Sequence, residues 1–339
     1  MIDVSIFTSP IGLGHATRDS ALAQNLESFS KKFVTGDVAS KFLKQYGFDV
    51  TDAYIPPKFK VKNGKLQQPL KWLWDYYQYY KECKKISLEF IKKENPRIVL
   101  SDEDFASLVI AQEKSIPSVL ITDVLETEFT NGFGKIIEKK MNKSMKKIID
   151  NCDAVIIPEV GENVDNIKRI GPIVRKTNFS REQLREKFGF DRKTIVLSVG
   201  GTDAGKFLIE KILNIEFIID ETKLVIVSGP SLKINSKKNI ENFGFVNNLH
   251  ELIYAADLVI SLAGKSTIDE SEHYGTPGIF IPLKGHFEQE DNAKQKGFSY
   301  DDINRLEILI PKKLEERRNP KNYDGDKKAA EIIKKFLSN

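Results

Sequence analysis

The chain has 339 residues, of which 29% are charged and 40% are hydrophobic, a composition typical of folded globular proteins rather than disordered ones. Two domains are expected at this length, because a single hydrophobic core rarely grows so large. The 52 basic and 48 acidic residues leave a net charge of +4. This balance argues against nucleic acid as a partner.

The cellular compartment is predicted from cysteine usage and from the N-terminus. Cys83 and Cys152 have no metal-type spacing and are too few to cross-link the chain, which favours a reducing compartment. The first residues run directly into a strand, without the basic and apolar regions of a signal peptide. No apolar run approaches the roughly 20 residues that a membrane span needs. We therefore expect a cytoplasmic protein.

The first motif is a strand, a glycine-containing turn and a helix. Gly12 and Gly14 allow the backbone to approach a ligand, and His15 follows at the start of the helix, with Arg18 about one turn further on. Imidazole titrates near neutral pH, so His15 is a candidate general base. The alternative is a histidine that only caps a helix.

Two acidic residues follow predicted strands in the same half of the chain. Asp102 ends the strand at residues 97–101, and Asp123 ends the strand at residues 118–122. A carboxylate at the carboxyl end of a strand can orient a catalytic histidine or act on a hydroxyl group itself. The alternative for Asp102 is that it only complements the dipole of the helix that follows.

Two helices of this half have unusual surfaces. In the aromatic helix at residues 70–80, one stripe is predicted to face the core: Leu70, Leu73, Trp74 and Tyr77. The other aromatic residues are predicted either to pack on a second side, to line an acceptor groove or to touch a membrane interface: Trp72, Tyr76 and Tyr79. The lysine-rich helix at residues 135–149 fits either a solvated face or contact with anionic lipid.

The second half repeats the arrangement of strand, glycine turn and helix. A Gly-Pro break at residues 171–172 marks the boundary. We predict a first domain at residues 1–172, a second at residues 173–324, and a closing helix at residues 325–339. Both domains are predicted to be Rossmann-like α/β folds that face each other across a cleft.

A strand-to-helix junction at residues 261–270 is the best candidate for ligand binding in the second half. Gly264 permits close approach of a ligand, and Ser266 and Thr267 supply hydroxyl groups beside the free N–H groups of a new helix, which suits a phosphate. Glu270 lies about one turn further in, where a carboxylate can accept hydrogen bonds from a ribose diol. The alternative is an ordinary capped turn.

Together these motifs resemble glycosyltransferases of the GT-B fold in the MurG-like group, which transfer sugars from UDP-sugars. The resemblance is best over residues 244–293, which contain Ala263-Gly-Lys-Ser-Thr-Ile-Asp-Glu270 and Glu288-Gln-Glu-Asp-Asn-Ala293. It implies an enzyme with a nucleotide-sugar donor, a UDP-sugar by expectation, and a hydroxyl acceptor.

The resemblance also implies roles for individual residues. Glu270 would hold the ribose, while Glu288 and Gln289 would contact the sugar. Residues 244–246 would form the loop that packs on the base, and residues 200–202 would form a second turn at the diphosphate. The remaining donor-side residues implied are Gly200, Gly201, Thr202, Gly229, Phe245, Val246, Gly264, Ser266, Thr267 and Asn292. His15, aided by Asp102, would deprotonate the acceptor, with Gly12, Gly14 and Arg18 on the acceptor side. The expected reaction inverts the anomeric carbon, needs no metal or other cofactor, and serves cell-surface glycan or glycolipid synthesis.

The first turn leaves the acceptor open. MurG has a longer glycine run before its histidine, and residues 12–18 are closer to uncharacterised archaeal and bacterial relatives and to the GT-B-fold UDP-sugar hydrolase of pseudaminic acid synthesis. A lipid-linked acceptor with peripheral contact at the inner face of the membrane is one alternative. Hydrolysis with water as acceptor is another. A UDP-sugar epimerase and a non-catalytic nucleotide-sugar sensor complete the set.

Overall fold

Apolar runs such as residues 4–8 and 98–102 form strands whose residues are all buried, as expected where helices cover both faces of a parallel sheet. The computed structural model describes residues 2–128, 130, 134–200, 203–215, 222–229 and 239–338. The chain divides into two compact units. One comprises Met1–Lys58, Gln68–Val174 and Tyr323–Asn339, and the other comprises Phe59–Gln67 and Arg175–Asn322.

The strands and helices of the described residues alternate along most of the chain. The strands are β1 (Val4–Thr8), β2 (Lys31–Thr35), β3 (Val50–Asp52), β4 (Lys60–Lys62), β5 (Lys65–Gln67), β6 (Ile98–Asp102), β7 (Ser118–Ile121), β8 (Ala154–Ile157), β9 (Ile167–Arg169), β10 (Thr194–Ser198), β11 (Lys223–Val227), β12 (Ile240–Gly244), β13 (Leu258–Leu262) and β14 (Gly278–Ile281). The α-helices are α1 (Gly14–Gln24), α2 (Asp37–Gln45), α3 (Pro69–Glu94), α4 (Phe105–Glu113), α5 (Gly134–Asp150), α6 (Arg181–Phe188), α7 (Lys206–Leu213), α8 (Leu249–Ala255), α9 (Lys265–Tyr274), α10 (Phe287–Gln295), α11 (Leu306–Leu314) and α12 (Gly325–Leu337).

Each unit is built on one parallel sheet. The first sheet has the order β3-β2-β1-β6-β7-β8-β9, and the second has the order β12-β11-β10-β13-β14. The strand order reverses between β1 and β6 in the first sheet, and between β10 and β13 in the second. In open α/β sheets, ligands bind outside the carboxyl ends of the strands at such reversals. The topology therefore selects the turns after β1, β6, β10 and β13 as candidate sites.

Helix α3 packs through a different face from the one predicted. Three residues of the predicted core stripe are exposed: Leu70 at 53%, Trp74 at 63% and Tyr77 at 47%. Trp72 is buried and stacks on Tyr76, with ring centroids 5.3 Å apart. The predicted core assignment is thus wrong for all of that stripe except Leu73, because aromatic residues on both faces leave helical periodicity unable to choose the buried side.

The hairpin of β4 and β5 belongs to the second unit, although the sequence-based boundary places it in the first domain. The Leu66 N–H donates to the Lys284 carbonyl at 2.9 Å, and the Lys284 N–H donates to the Gly64 carbonyl at 2.8 Å. The hydroxyl of Tyr300 donates to the Asn63 carbonyl at 2.6 Å. These partners are more than 200 residues away in sequence, so local patterns carry no signal for them.

We expect Gly64→Ala to destabilise the second unit. Gly64 has a φ of +70°, and a Cβ there would lie 2.7 Å from the Phe207 ring and 2.8 Å from the Tyr300 ring. Backbone strain and overpacking together should cost about 1–3 kcal/mol, measured by urea unfolding. Gly297→Ala is the matched control, since Gly297 has a φ of +78° with nothing within 4 Å of an added Cβ. Equal losses in the two variants would show that the hairpin contacts are not tightly packed.

Candidate functional site

His15 lies at the reversal of the first sheet. The chain leaves β1, turns at Gly12, whose φ is +90°, and enters α1 at Gly14. His15 is therefore the second residue of α1, with its side chain 15% exposed. Residues with a side chain rarely adopt the left-handed conformation of Gly12, so the turn after β1 favours glycine at this position.

Asp102 reaches His15 because their strands are neighbours. β1 and β6 pair in parallel, with Thr8 opposite Asp102. The buried Asp102 carboxylate lies 2.9 Å from Nδ1 of His15, and Nη2 of Arg18 lies 3.2 Å from the same nitrogen, which leaves Nε2 as the nitrogen that Asp102 does not contact. The structure thus brings together the two predicted catalytic residues in the geometry of a histidine oriented by a carboxylate.

Arg18 links this pair to a second carboxylate. Its Nε and Nη2 donate to the two oxygens of Asp102 at 2.6 and 2.5 Å, and its Nη1 donates to Asp123 at 2.6 Å. Arg18 is 3% exposed, so its charge is compensated within the protein. Burial raises the pKa of the Asp102 carboxyl, but the charges of Arg18 and His15 outweigh it and hold that pKa well below its usual range. Asp102 is therefore ionised.

Glu103 and Asp19 complete the cluster, and neither was predicted from the sequence as a site residue. Oε2 of Glu103 lies 3.7 Å from Nε2 of His15, and Oε1 accepts from the Thr122 hydroxyl at 3.2 Å and the Asp123 N–H at 3.1 Å. Asp19 is fully buried and accepts from the Thr8 hydroxyl at 2.6 Å. The acidic run at residues 102–104 after a strand was the available signal for Glu103.

The charges around His15 determine its protonation. Burial lowers the pKa of His15, but Asp102 and Glu103 outweigh burial and raise it to about 9. The ring is therefore mostly protonated at neutral pH. Burial raises the pKa of Glu103, an effect that His15 opposes. The site therefore contains the protonated ring of His15 beside Glu103, whose carboxyl group has a higher pKa than that of an exposed glutamate.

The predicted phosphate-type turns follow β10 and β13, the two strands at the reversal of the second sheet. β10 ends at Ser198 next to β13, and α9 begins at Lys265 directly after β13. Gly264 is the residue before α9 and has no side chain to cap the helix, so the first-turn N–H groups can bind an anion. Lys265 pairs with Asp269 at 2.6 Å. Gly200 is described, but Gly201 and Thr202 lie outside the described residues.

Glu270 has an unexpected partner. Nε and Nη2 of Arg175 donate to its two oxygens at 2.7 and 3.0 Å, and both side chains are almost fully buried. Nη1 of Arg175 also donates to the Asn247 carbonyl at 2.6 Å, just after the predicted base-side residues Phe245 and Val246. Each Glu270 oxygen has a further lone pair beyond its bond with Arg175. The arginine therefore fixes the carboxylate next to the loop that was predicted to pack on the base.

Two of the predicted sugar-side residues make contacts within the second unit. Oε1 of Gln289 accepts from the Leu283 N–H at 3.1 Å. The buried Asn292 amide donates to the Ala263 carbonyl at 3.2 Å, which ties α10 to the turn before α9. Glu288 is half-buried near the start of α10, and Gly229 is buried just after β11. The predicted donor-side residues that the structure describes thus lie in the segments that follow the carboxyl ends of the strands of the second sheet, β10 to β14.

Comparisons with known proteins agree with this architecture. Residues 195–335 match the Glycosyltransferase family 28 C-terminal domain. An uncharacterized glycosyltransferase of Methanosarcina acetivorans is 26% identical over 318 residues, covering 86% of this chain and 82% of the relative. A UDP-N-acetylglucosamine–N-acetylmuramyl-(pentapeptide) pyrophosphoryl-undecaprenol N-acetylglucosamine transferase of Clostridium botulinum is 27% identical over 368 residues, covering 95% of this chain and 96% of the relative.

A solved structure shares the fold over the full length. It is a Streptomyces glycosyltransferase complexed with thymidine diphosphate, with a TM-score of 0.66 at 10% identity and 100% coverage of both chains. The likeness confirms the predicted GT-B fold of two Rossmann-like domains, each built on a parallel sheet.

Proposed function

From the premise that the chain is a glycosyltransferase of the GT-B fold with a family 28 C-terminal domain, we propose that it transfers a sugar from a UDP-sugar to a hydroxyl acceptor with inversion. The observation that carries the proposal is the His15–Asp102 pair at the sheet reversal, in which Asp102 contacts Nδ1 and not Nε2. An oriented imidazole at this position is suited to remove a proton from an acceptor hydroxyl.

The proposed step is a single displacement. The acceptor O–H bond breaks as its oxygen attacks the anomeric carbon, and neutral His15 takes the proton at Nε2. The bond between the anomeric carbon and the diphosphate oxygen breaks, and the electron pair leaves with the diphosphate. One displacement from the opposite face inverts the anomeric carbon.

The leaving group is proposed to be stabilised by the protein backbone without a metal ion. The N-terminus of α9 offers N–H groups and the hydroxyls of Ser266 and Thr267 where a diphosphate would gain negative charge. Glu270 is proposed to accept the ribose hydroxyls through the lone pairs that Arg175 leaves unused.

The first unit carries a surface that suits a lipid-linked acceptor. Leu70 of α3 lies against the start of α5, since a Cβ on Gly134 would be 2.5 Å from it. These two helices carry five exposed hydrophobic residues, here called the apolar patch: Leu70, Trp74, Tyr77, Ile136 and Ile137. The same helices also carry exposed lysines: Lys71, Lys81, Lys135, Lys139, Lys140 and Lys143. We propose that the patch touches an anionic membrane. Within the described ranges, no helix combines the length and apolarity required of a bilayer-spanning segment.

We expect Ile136→Ser to weaken binding to phosphatidylglycerol vesicles by about tenfold, because transfer of an isoleucine side chain contributes about 1.5–3 kcal/mol. Vesicle co-sedimentation measures the effect. Ile308→Ser is the matched control, since Ile308 of the second unit is equally exposed at 68% but lies outside the patch. Equal binding of Ile136→Ser and Ile308→Ser to phosphatidylglycerol vesicles would contradict the membrane proposal. So would wild-type binding to phosphatidylcholine vesicles as strong as its binding to phosphatidylglycerol vesicles.

A panel of donors tests the proposed function. Calorimetry with UDP-, GDP- and dTDP-sugars should find a UDP-sugar that binds, and incubation of that donor with hydroxyl acceptors should yield a glycosylated product. Stoichiometric free sugar at enzymatic speed without acceptor would instead indicate a hydrolase. A changed nucleotide sugar would indicate an epimerase, and tight binding without turnover would indicate a sensor.

A further inference from the structure

Glu103 occupies a position at His15 that the proposed function does not use. It follows β6 with a φ of +54°, a left-handed conformation that residues with a side chain rarely adopt. Its Oε1 accepts from the Asp123 N–H at 3.1 Å and lies 3.2 Å from the Thr122 hydroxyl, whose single proton also faces the Val124 carbonyl at 2.7 Å. This fixes the carboxylate so that Oε2 lies 3.7 Å from Nε2 of His15.

The gap between the two groups matches one hydroxyl oxygen. A separation of 3.7 Å is too long for a direct hydrogen bond between Oε2 of Glu103 and Nε2 of His15. A hydroxyl oxygen to one side of the line between these two atoms can lie about 2.8 Å from each and hydrogen-bond to both. Resting on the proposed function, we propose that Glu103 is a catalytic residue that holds the acceptor hydroxyl between its Oε2 and Nε2 of His15 and takes the hydroxyl proton at neutral pH.

The proton of the acceptor hydroxyl can move either to Glu103 or to His15, depending on the charge of His15. When His15 is charged, its Nε2–H donates to the acceptor oxygen, and the acceptor proton moves to Oε2 of Glu103. The new bond to the anomeric carbon forms as the bond to the diphosphate breaks, and the electron pair leaves on the diphosphate. When His15 is neutral, it takes the same proton itself.

The charges around His15 favour Glu103 as the proton acceptor at neutral pH and His15 at higher pH. His15 faces Asp102 and Glu103 with Arg18 beside them, and Asp19 and Asp123 complete the cluster. The pKa of His15 is raised to about 9, so few His15 side chains can accept a proton at pH 7. Burial raises the pKa of Glu103, which makes its carboxylate a stronger base than an exposed glutamate.

Glu103→Gln tests the inference because it keeps Oε1 as an acceptor for Thr122 and removes the base. With UDP-N-acetylglucosamine and the other donors of the panel, each combined with the hydroxyl acceptors of the same panel, we measure nucleoside diphosphate release from pH 6 to 10. We expect about a 100-fold lower kcat at pH 7 with unchanged KM for the donor. The deficit should shrink as pH rises and neutral His15 takes over. Glu113→Gln, an exposed residue on α4, is the control and should match wild type.

The outcomes separate the inference from the proposed function. Wild-type kcat in Glu103→Gln at pH 7, or the same deficit at every pH, would overturn the role of Glu103 while leaving the transferase intact. Absence of donor turnover by wild type overturns both. Glu103→Asn tolerates the left-handed backbone better, so it repeats the test if Glu103→Gln does not fold.

Discussion

Replacement of His15 by alanine is expected to abolish sugar transfer while leaving UDP binding intact. His15 lies on the first unit beside Asp102, whereas the candidate diphosphate turns lie on the second. Loss of the hydrogen bond or proton transfer that His15 provides to the acceptor hydroxyl should lower kcat by about 10²–10⁴-fold. Calorimetry with UDP and a turnover assay with the donor identified in the panel measure the two effects. Loss of UDP binding in His15→Ala would contradict the assignment of His15 to the acceptor side.

His15→Gln refines this prediction. A glutamine amide can donate a hydrogen bond where Nε2 does, but it cannot accept a proton. If His15 at pH 7 acts mainly as a charged donor beside Glu103, His15→Gln should retain more activity than His15→Ala. If neutral His15 is the only base, both variants should be equally inactive, and wild-type kcat/KM should rise with pH up to about 9, where the ring loses its proton.

The second large effect is expected for Arg175→Met. This substitution leaves the Glu270 carboxylate buried without its bidentate partner, which should cost about 3–5 kcal/mol of stability. It also removes the bond to the Asn247 carbonyl that links the base-side loop to Glu270. Urea unfolding should show the loss in the transition of the second unit.

The double variant Arg175→Met with Glu270→Leu separates stability from ligand binding. Replacing a buried ion pair with apolar residues of similar volume is often neutral or stabilising, so the double variant should recover most of the loss. If Glu270 binds the ribose, this stable variant should still fail to bind UDP. Normal UDP binding would show that Glu270 serves only the fold, and a double variant as unstable as Arg175→Met would show that the ion pair is not the source of the loss.

The predicted parts of the candidate site around His15 are those that strand order alone brings together. His15 and Asp102 are 87 residues apart, yet Asp102 ends β6 and His15 lies at the start of the helix that follows β1. Carboxyl ends of parallel strands share one edge of the sheet, so a histidine and a carboxylate at two such ends are plausible neighbours from sequence. The distance of 2.9 Å and the orientation of Nδ1 toward Asp102 required the packed structure.

Other features left no local trace. Arg175 and Glu270 meet across 95 residues, and nothing in the polar stretch around Arg175 distinguishes it from its neighbours. The hairpin of β4 and β5 joins the second unit through backbone bonds to Lys284, which no periodicity encodes. Helix α3 buries Trp72 and exposes Trp74, a choice made by the helices and strands that pack against it.

The sequence by itself determined the alternation of strands and helices, the positions of the glycine turns and the placement of reactive side chains at strand ends. These follow from apolar patterning and backbone preferences within a few residues. Only the tertiary structure decided that Arg18 holds Asp102, that Glu103 faces Nε2 of His15 and that Arg175 holds Glu270. Each of these contacts depends on the packing of elements far apart in the chain. The free energy of that packing comes from many residues together, so no short segment of the sequence determines it.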